Sequence, residues 1–273
     1  EAVVDFNPLL HHPHPPGYPL LIGLGKIIAL VVRDPYFSLV TLSILASAVS
    51  FLALAKAFAL IADDRRAGIV GSLLVHLSPA LLVHGPLALS DPAALMFLSL
   101  MFLAAARIET TPTLRDALLL GTFASAAIGC RPQYAVPIVP VFLVLAIRVW
   151  LRGEGTPAKE GKKARSAGMG LAALAAFTVM SLVWLTPLVI AVGGPMEWVT
   201  YELRQASYVA QHDAVISRSG WTAADLALRF VAHPWGPKWL SLPLIAASVA
   251  GAFLFVRRAR IWPLMPLVGV AGI

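Results

Sequence analysis

The sequence predicts an all-α fold: a polytopic transmembrane helix bundle with an outer-face loop that carries an interfacial, juxtamembrane helix. Three observations lead there. Hydrophobic residues make up 59% of the 273 positions and charged residues only 13%, about half the roughly 25% charge of soluble domains. The mean hydropathy of +0.81 is that of an integral membrane protein. Apolar runs also recur along the chain between short polar breaks, and basic residues crowd into alternate breaks. That alternation is an orientation bias, so the net charge of +7 points to membrane topology and not to a nucleic-acid partner.

The first element is a proline- and histidine-rich loop, EAVVDFNPLLHHPHPPG, from Glu1 to Gly17. Pro8, Pro13, Pro15 and Pro16 remove backbone donors and push their predecessors towards extended conformations. Tyr18 to Val32 follows as fifteen mostly apolar residues. As a helix it covers about 22 Å, short of the roughly 30 Å hydrocarbon core, and Lys26 interrupts it. It is expected to lie at the interface or to re-enter it; a short true span is the alternative.

Spans are then expected over about 36–62, 67–83, 93–106, 117–130, 134–150, 168–192 and 240–256. Asp63-Asp64-Arg65-Arg66 makes a tight turn, Pro79 should kink the second span, and Pro92 suits the first helical position after a serine or aspartate cap. Arg131-Pro132-Gln133 separates the fourth and fifth spans. Arg148 to Ser166 is basic and glycine-containing, as a mobile linker would be. Residues 193–239 form the one sizeable polar segment, with Trp198, Tyr201, Tyr208, Trp221, Trp235 and Trp239 at headgroup level. Within it, Thr222 and Asp225 have capping-box spacing. The domain plan is a single membrane domain: residues 1–33 as first outer loop and juxtamembrane helix, 36–192 as membrane helices, 193–239 as an outer loop, and 240–273 as membrane helices. The ends read as a fragment truncated on both sides.

Sidedness follows from counting. Fourteen of the twenty-one basic residues lie in 56–66, 107–115, 148–165 and 257–260, which makes those loops cytoplasmic. Lys26, Arg33, Arg131, Arg204, Arg218, Arg229 and Lys238 fall on the other side. Residues 1–33, 84–91, 131–133 and 193–239 are thereby expected to gather on one outer face.

On that face the carboxylates Asp5 and Asp91 are the candidate catalytic groups. A carboxylate partly withdrawn from water has a raised pKa and can serve as a general base. Ser90-Asp91-Pro92 is equally an ordinary helix start, whereas Asp5 has no evident capping role. His11, His12 and His14 with Asp5 could form a divalent-cation site, but their spacing is not that of a helical pair, and hydrogen bonding within the loop or to a lipid phosphate serves as well. Lys26 and Arg131 could pair with an anionic headgroup or merely snorkel. His76, inside a span, suits a polar contact with a neighbouring helix. The single cysteine, Cys130, excludes a disulfide framework and a cysteine-rich zinc site and is expected as a small buried hydrophobe. Gly23-Leu24-Gly25-Lys26 lacks the spacing of a phosphate-binding loop, so a soluble nucleotide-dependent enzyme has no support.

His14-Pro15-Pro16-Gly17-Tyr18-Pro19 and the apolar run through Lys26 resemble the juxtamembrane segment of GT-C glycosyltransferases, which include protein O-mannosyltransferases and lipid A aminoarabinose transferases. Leu87 to Leu95, with Asp91 opening a helix, is similar to their second outer loop. Gly129-Cys130-Arg131-Pro132-Gln133, with Pro137 and Pro140, is similar to a later helix break in bacterial members. The resemblance covers about Val3 to Pro140. Some members carry paired acids where Val4-Asp5-Phe6 offers one, and many have an arginine before the second-loop acid where this chain has Leu87 and Leu89.

The resemblance implies inverting transfer of a sugar from a polyprenyl-phosphate donor to a lipid, glycan or protein acceptor, on the outer side of a bacterial cytoplasmic membrane. Asp5 would be the base and Asp91 would orient the acceptor or hold a metal. His11, His14, Lys26 and Arg131 would bind substrate, the last two at the departing phosphate. A transporter or lipid-handling protein is the alternative from another class; its broken-helix repeats are not seen here. A non-catalytic scaffold would leave Asp5 unexplained.

Overall fold

The computed structural model describes residues 2–8, 12, 17–151, 160–213, 220–222, 224–225, 229 and 237–257. Among them the fold is all-α, with an isolated antiparallel bridge between Asn7 and His12 in place of any strand. The helices are α1 (Pro19–Val32), α2 (Pro35–Ala62), α3 (Arg65–His76), α4 (Pro79–His84) and α5 (Ser90–Thr110). They continue as α6 (Leu114–Cys130), α7 (Ala135–Leu151), α8 (Glu160–Ala191), α9 (Pro195–Tyr208) and α10 (Lys238–Arg257). A single 3₁₀ turn, Pro132–Tyr134, joins α6 to α7, and a π turn, Val209–Asp213, follows α9.

Among the described residues three stretches are long and apolar enough to cross a bilayer: Pro35–Ala62, Ser90–Thr110 and Ala167–Ala191. Their lengths of 28, 21 and 25 residues meet the requirement of about 20. Large apolar side chains point outward from them, among them Leu45 and Leu52 on α2 and Val179, Leu182 and Val183 on α8. An aqueous surface would not tolerate this pattern over whole helices, whereas lipid tails solvate it. The protein is an integral membrane protein.

Within lipid there is no hydrophobic drive between helices, so small residues and interhelical hydrogen bonds must hold the bundle. The sequence supplies both. The main packing runs α2 against α5, α5 against α6, and α6 against α8. Ala46, Ala53 and Ala57 of α2, Ala104 and Ala105 of α5, and Ala117, Ala124 and Ala127 of α6 are buried. Ser50 and Ser99 bond across α2 and α5 at 2.8 Å, and Ser125 and Ser181 bond across α6 and α8 at 2.8 Å. Trp184 Nε1 also donates to Ser125 Oγ at 3.0 Å. Phe142 of α7 stacks on Phe177 of α8 with ring centroids 4.8 Å apart.

Gly121 lies at a close approach of α6 to α8: a Cβ there would run into the Ala173 carbonyl oxygen. The neighbour is backbone and cannot swing away, so Gly121→Ala is expected to destabilise by about 1–3 kcal/mol through overpacking. A thermal melt in detergent would read this as a lower midpoint; an unchanged midpoint would show that the two helices can separate freely.

The structure modifies several boundaries for identifiable reasons. The expected second span is broken, not kinked. Helix α3 stops at His76, and Ser78 is extended (φ −61, ψ 140) ahead of Pro79, because a residue before proline avoids the helical region. Helix α5 begins at Ser90 with Leu89 as its N-cap and no side-chain cap. Pro92 therefore sits within the first turn, where the missing N–H has no intrahelical partner to lose, and neither Ser90 nor Asp91 is spent on capping. The expected 148–166 linker is shorter, since α8 starts at Glu160; residues 152–159 lie outside the described ones. The turn after α2 forms as expected, with Asp63 left-handed (φ 57) and Asp64 accepting from the Arg66 amide at 2.7 Å. Thr222 and Asp225 make the reciprocal capping-box bonds. Cys130 is fully buried.

Candidate functional site

Contacts between distant segments gather the polar loops at one end of the bundle. The buried face of α1 packs there: Leu21 clusters with Leu42, Ala93, Ala94 and Cys130, and Tyr18 and Tyr134 border the same cluster. Gly17 precedes α1 with φ +99, and a Cβ on it would come within 2.7 Å of Leu188 Cδ1 at the end of α8. The positive φ is what favours glycine there, since the Leu188 side-chain tip could shift. At the far end, Arg107 and Asp116 face each other at 3.8 Å.

Helix α6 ends at Cys130, and Arg131 is extended (φ −149, ψ 93) ahead of Pro132. That break carries the guanidinium out of the α6 axis and across to the start of α5. Arg131 Nη1 donates to Asp91 Oδ2 at 2.7 Å and to Ser90 Oγ at 3.0 Å. The guanidinium lies over the Tyr134 ring, 5.9 Å from its centroid, within cation–π range. Asp91 and Arg131 are each about one-third exposed, at 33% and 32%, so the pair is held by packing yet open to a ligand. Only one nitrogen of the guanidinium is engaged in these bonds, and the remaining N–H groups are donors suited to phosphate oxygens.

The Asp5 loop rests against the same helix. Val3 is buried beside Gly25 of α1. Asn7 and His12 exchange both backbone hydrogen bonds, at 2.7 and 2.9 Å. This pairing brings His12 Nδ1 to 3.5 Å from Asp5 Oδ2, an ion pair when the imidazole is protonated. Asp5 itself is 65% exposed. From α9, Tyr201 Oη donates to the Pro8 carbonyl at 3.0 Å. Burial, then the neighbouring Glu202 and Tyr18, push the Tyr201 phenol up to about 12, so it remains a donor at neutral pH. Burial also raises the Glu202 carboxyl above its ordinary range, against the opposing effect of the Trp198 indole.

Of the residues singled out from the sequence, Asp91 and Arg131 are in direct contact. Asp5 and Asp91 share the same end, but no hydrogen bond or ion pair joins them among the described residues. Lys26 lies exposed on α1. His11 and His14 lie outside the described residues. No group of three metal-ligating side chains occurs among the described residues. His76 bonds within its own helix, to the Ser72 carbonyl at 2.9 Å, and reaches α2 by an edge-on contact with Phe51.

Sequence reasoning passed over Ser90, Tyr134, Tyr201 and Glu202 as site residues. Ser90 figured only as a cap, Tyr201 only as an interfacial aromatic. The helix break at Arg131-Pro132 was the one available signal for the Tyr134 neighbourhood.

No curated protein and no solved structure matches the chain. The family described as dolichyl-phosphate-mannose-protein mannosyltransferase matches residues 13–184. That range takes in α1 to α7 and most of α8, with His14, Lys26, Asp91 and Arg131 inside it and Asp5 and His11 just before it. A match over well over half of the chain, running through the very helices that build the Asp91–Arg131 pair, shows that the chain belongs to the dolichyl-phosphate-mannose-protein mannosyltransferase family and is a GT-C membrane glycosyltransferase.

Proposed function

We propose that the protein transfers mannose from a polyprenyl-phosphate donor to a hydroxyl of a protein acceptor, on the outer side of the cytoplasmic membrane and with inversion at the anomeric carbon. The family match over residues 13–184 carries this reading, and the geometry at the Asp91 end supports it. A polyprenyl tail needs an apolar flank, which the exposed Ile27, Leu30 and Val31 of α1 offer. Its phosphate needs cations at the interface, and Lys26 and Arg131 are the candidates. The distribution of basic residues supports the outer side.

In the proposed reaction Asp5 accepts the proton of the acceptor hydroxyl. The oxygen forms a bond to the anomeric carbon as the bond from that carbon to the phosphate oxygen breaks. The polyprenyl phosphate leaves with the electron pair, and Arg131 and Lys26 offset the charge that develops on it. Asp91, held by Arg131, orients the acceptor. A single displacement of this kind uses one carboxylate as base and inverts the configuration, unlike a two-carboxylate double displacement.

The test is a transfer assay with purified full-length protein, polyprenyl-phosphate mannose and a hydroxyl-bearing peptide. Mannosylated peptide is the expected product. Absence of transfer from any polyprenyl-phosphate sugar, together with movement of the intact lipid across proteoliposomes, would favour a lipid transporter instead.

A further inference from the structure

We propose that Tyr201 is a positioning residue for the Asp5 carboxylate, acting through the Pro8 carbonyl; the inference rests on Asp5 being the base. A base must be held within hydrogen-bond reach of the proton it removes, and a misplacement of about 1 Å costs on the order of a hundredfold in rate. Asp5 is poorly equipped to hold itself. Its side chain is 65% exposed, and Val4 beside it is 73% exposed, so the carboxylate has little packing to define its place.

The constraint comes from the residues around it. Val3 anchors the loop on the N-terminal side against α1. On the other side the backbones of Asn7 and His12 pair and set His12 against Asp5. Pro8 directly follows Asn7, is buried and has its φ fixed by the ring. Its carbonyl, once held, fixes the backbone next to Asn7, two residues from Asp5. Tyr201 holds it, from a position 193 residues away in the chain.

The bond is not a core contact in disguise. Helix α9 buries none of its residues fully, and removing one hydroxyl from it leaves the packing of α2, α5, α6 and α8 untouched. What the hydroxyl does is couple an outlying helix to the loop that bears the base. The phenol stays protonated well above neutral pH, so the coupling persists wherever the enzyme would work.

The test uses Tyr201→Phe, which removes the donor and keeps the ring. Cys130 is fully buried, so a Val4→Cys substitution gives one accessible thiol for a spin label next to Asp5. Tyr201→Phe is expected to raise the label's mobility. It is also expected to lower kcat by about fivefold to tenfold, the population effect of losing one hydrogen bond, while the KM for polyprenyl-phosphate mannose stays within about twofold. In an Asp5→Asn background the same substitution should change the residual rate by less than about twofold, because there is no longer a base to position. Unchanged label mobility overturns the clamp. Raised mobility with an equal kcat loss in the Asp5→Asn background overturns positioning of Asp5. Undiminished transfer by Asp5→Asn alone removes Asp5 as base and the proposal with it, and the label still separates that failure from a missing clamp.

Discussion

Asp5→Asn is expected to lower the rate of mannosyl transfer by roughly 10²–10⁴-fold, the range of a lost general base. The amide keeps the size and one carbonyl acceptor of the carboxylate but cannot take up the acceptor proton. Binding of the donor should hardly change, since the loop is closed by the Asn7–His12 backbone pair and by Tyr201 on Pro8, none of which involves the Asp5 side chain. The loss should thus appear in kcat and leave the donor KM nearly intact, the pattern of an interaction made in the transition state. The companion variant is Asp91→Asn. A near-wild-type rate for Asp5→Asn with a severe loss for Asp91→Asn would exchange the roles of the two carboxylates.

Arg131→Ala is expected to lower transfer by about a hundredfold and to destabilise the protein as well. Two effects add. In the proposed reaction a donor at the departing phosphate is lost, and removing one donor aimed at developing negative charge costs on the order of 10²–10³ in kcat. Asp91 is also left only about one-third exposed without its partner at 2.7 Å, and losing a hydrogen bond to a charged group costs about 1.5–3 kcal/mol. Arg131→Lys should restore part of the stability and little of the activity. An ammonium can answer Asp91, but it cannot reach Ser90, Asp91 and a phosphate together from one planar fork. Assay of both variants alongside their thermal midpoints separates the contributions. A Lys variant with wild-type kcat would show that the charge alone matters and that the fork geometry is idle.

The all-α membrane architecture was legible because it depends on composition and run length, which are local properties. Helix α2 lies within a residue of its expected bounds for that reason, and the turn at Asp63-Asp64 is set by two residues that cap on either side of it. Breaks were legible as places but not always as kinds. Pro79 announced trouble in the second span, yet only the geometry distinguishes a kink from the full stop at Leu77-Ser78. The start of α5 is not legible in the sequence, because Ser90-Asp91-Pro92 has the composition of a cap. The helix instead takes Leu89 as its boundary and leaves Ser90 and Asp91 for Arg131.

At the site, Asp91 and Arg131 each stood out as polar groups at helix ends, but their contact spans 40 residues, and no periodicity encodes a pairing at that range. The arginine beside Asp91 comes from the end of α6 and not from its own loop, where Leu87 and Leu89 stand. Tyr201 was hidden for the opposite reason. In a segment rich in tryptophan and tyrosine an aromatic reads as an anchor at the headgroups, and only its 3.0 Å bond to Pro8 sets it apart from Tyr208, which stacks on His212.

Direct displacement with Asp5 as the proton acceptor has one stereochemical consequence. In a single-turnover reaction of the purified full-length protein with polyprenyl-phosphate mannose of defined anomeric configuration, nuclear magnetic resonance of the mannosylated peptide reads the configuration of the new bond. Single displacement predicts the configuration opposite to that of the donor, with no mannosylated protein accumulating beforehand. A product with the donor's own configuration, or a covalent mannosyl-enzyme preceding it, would contradict it.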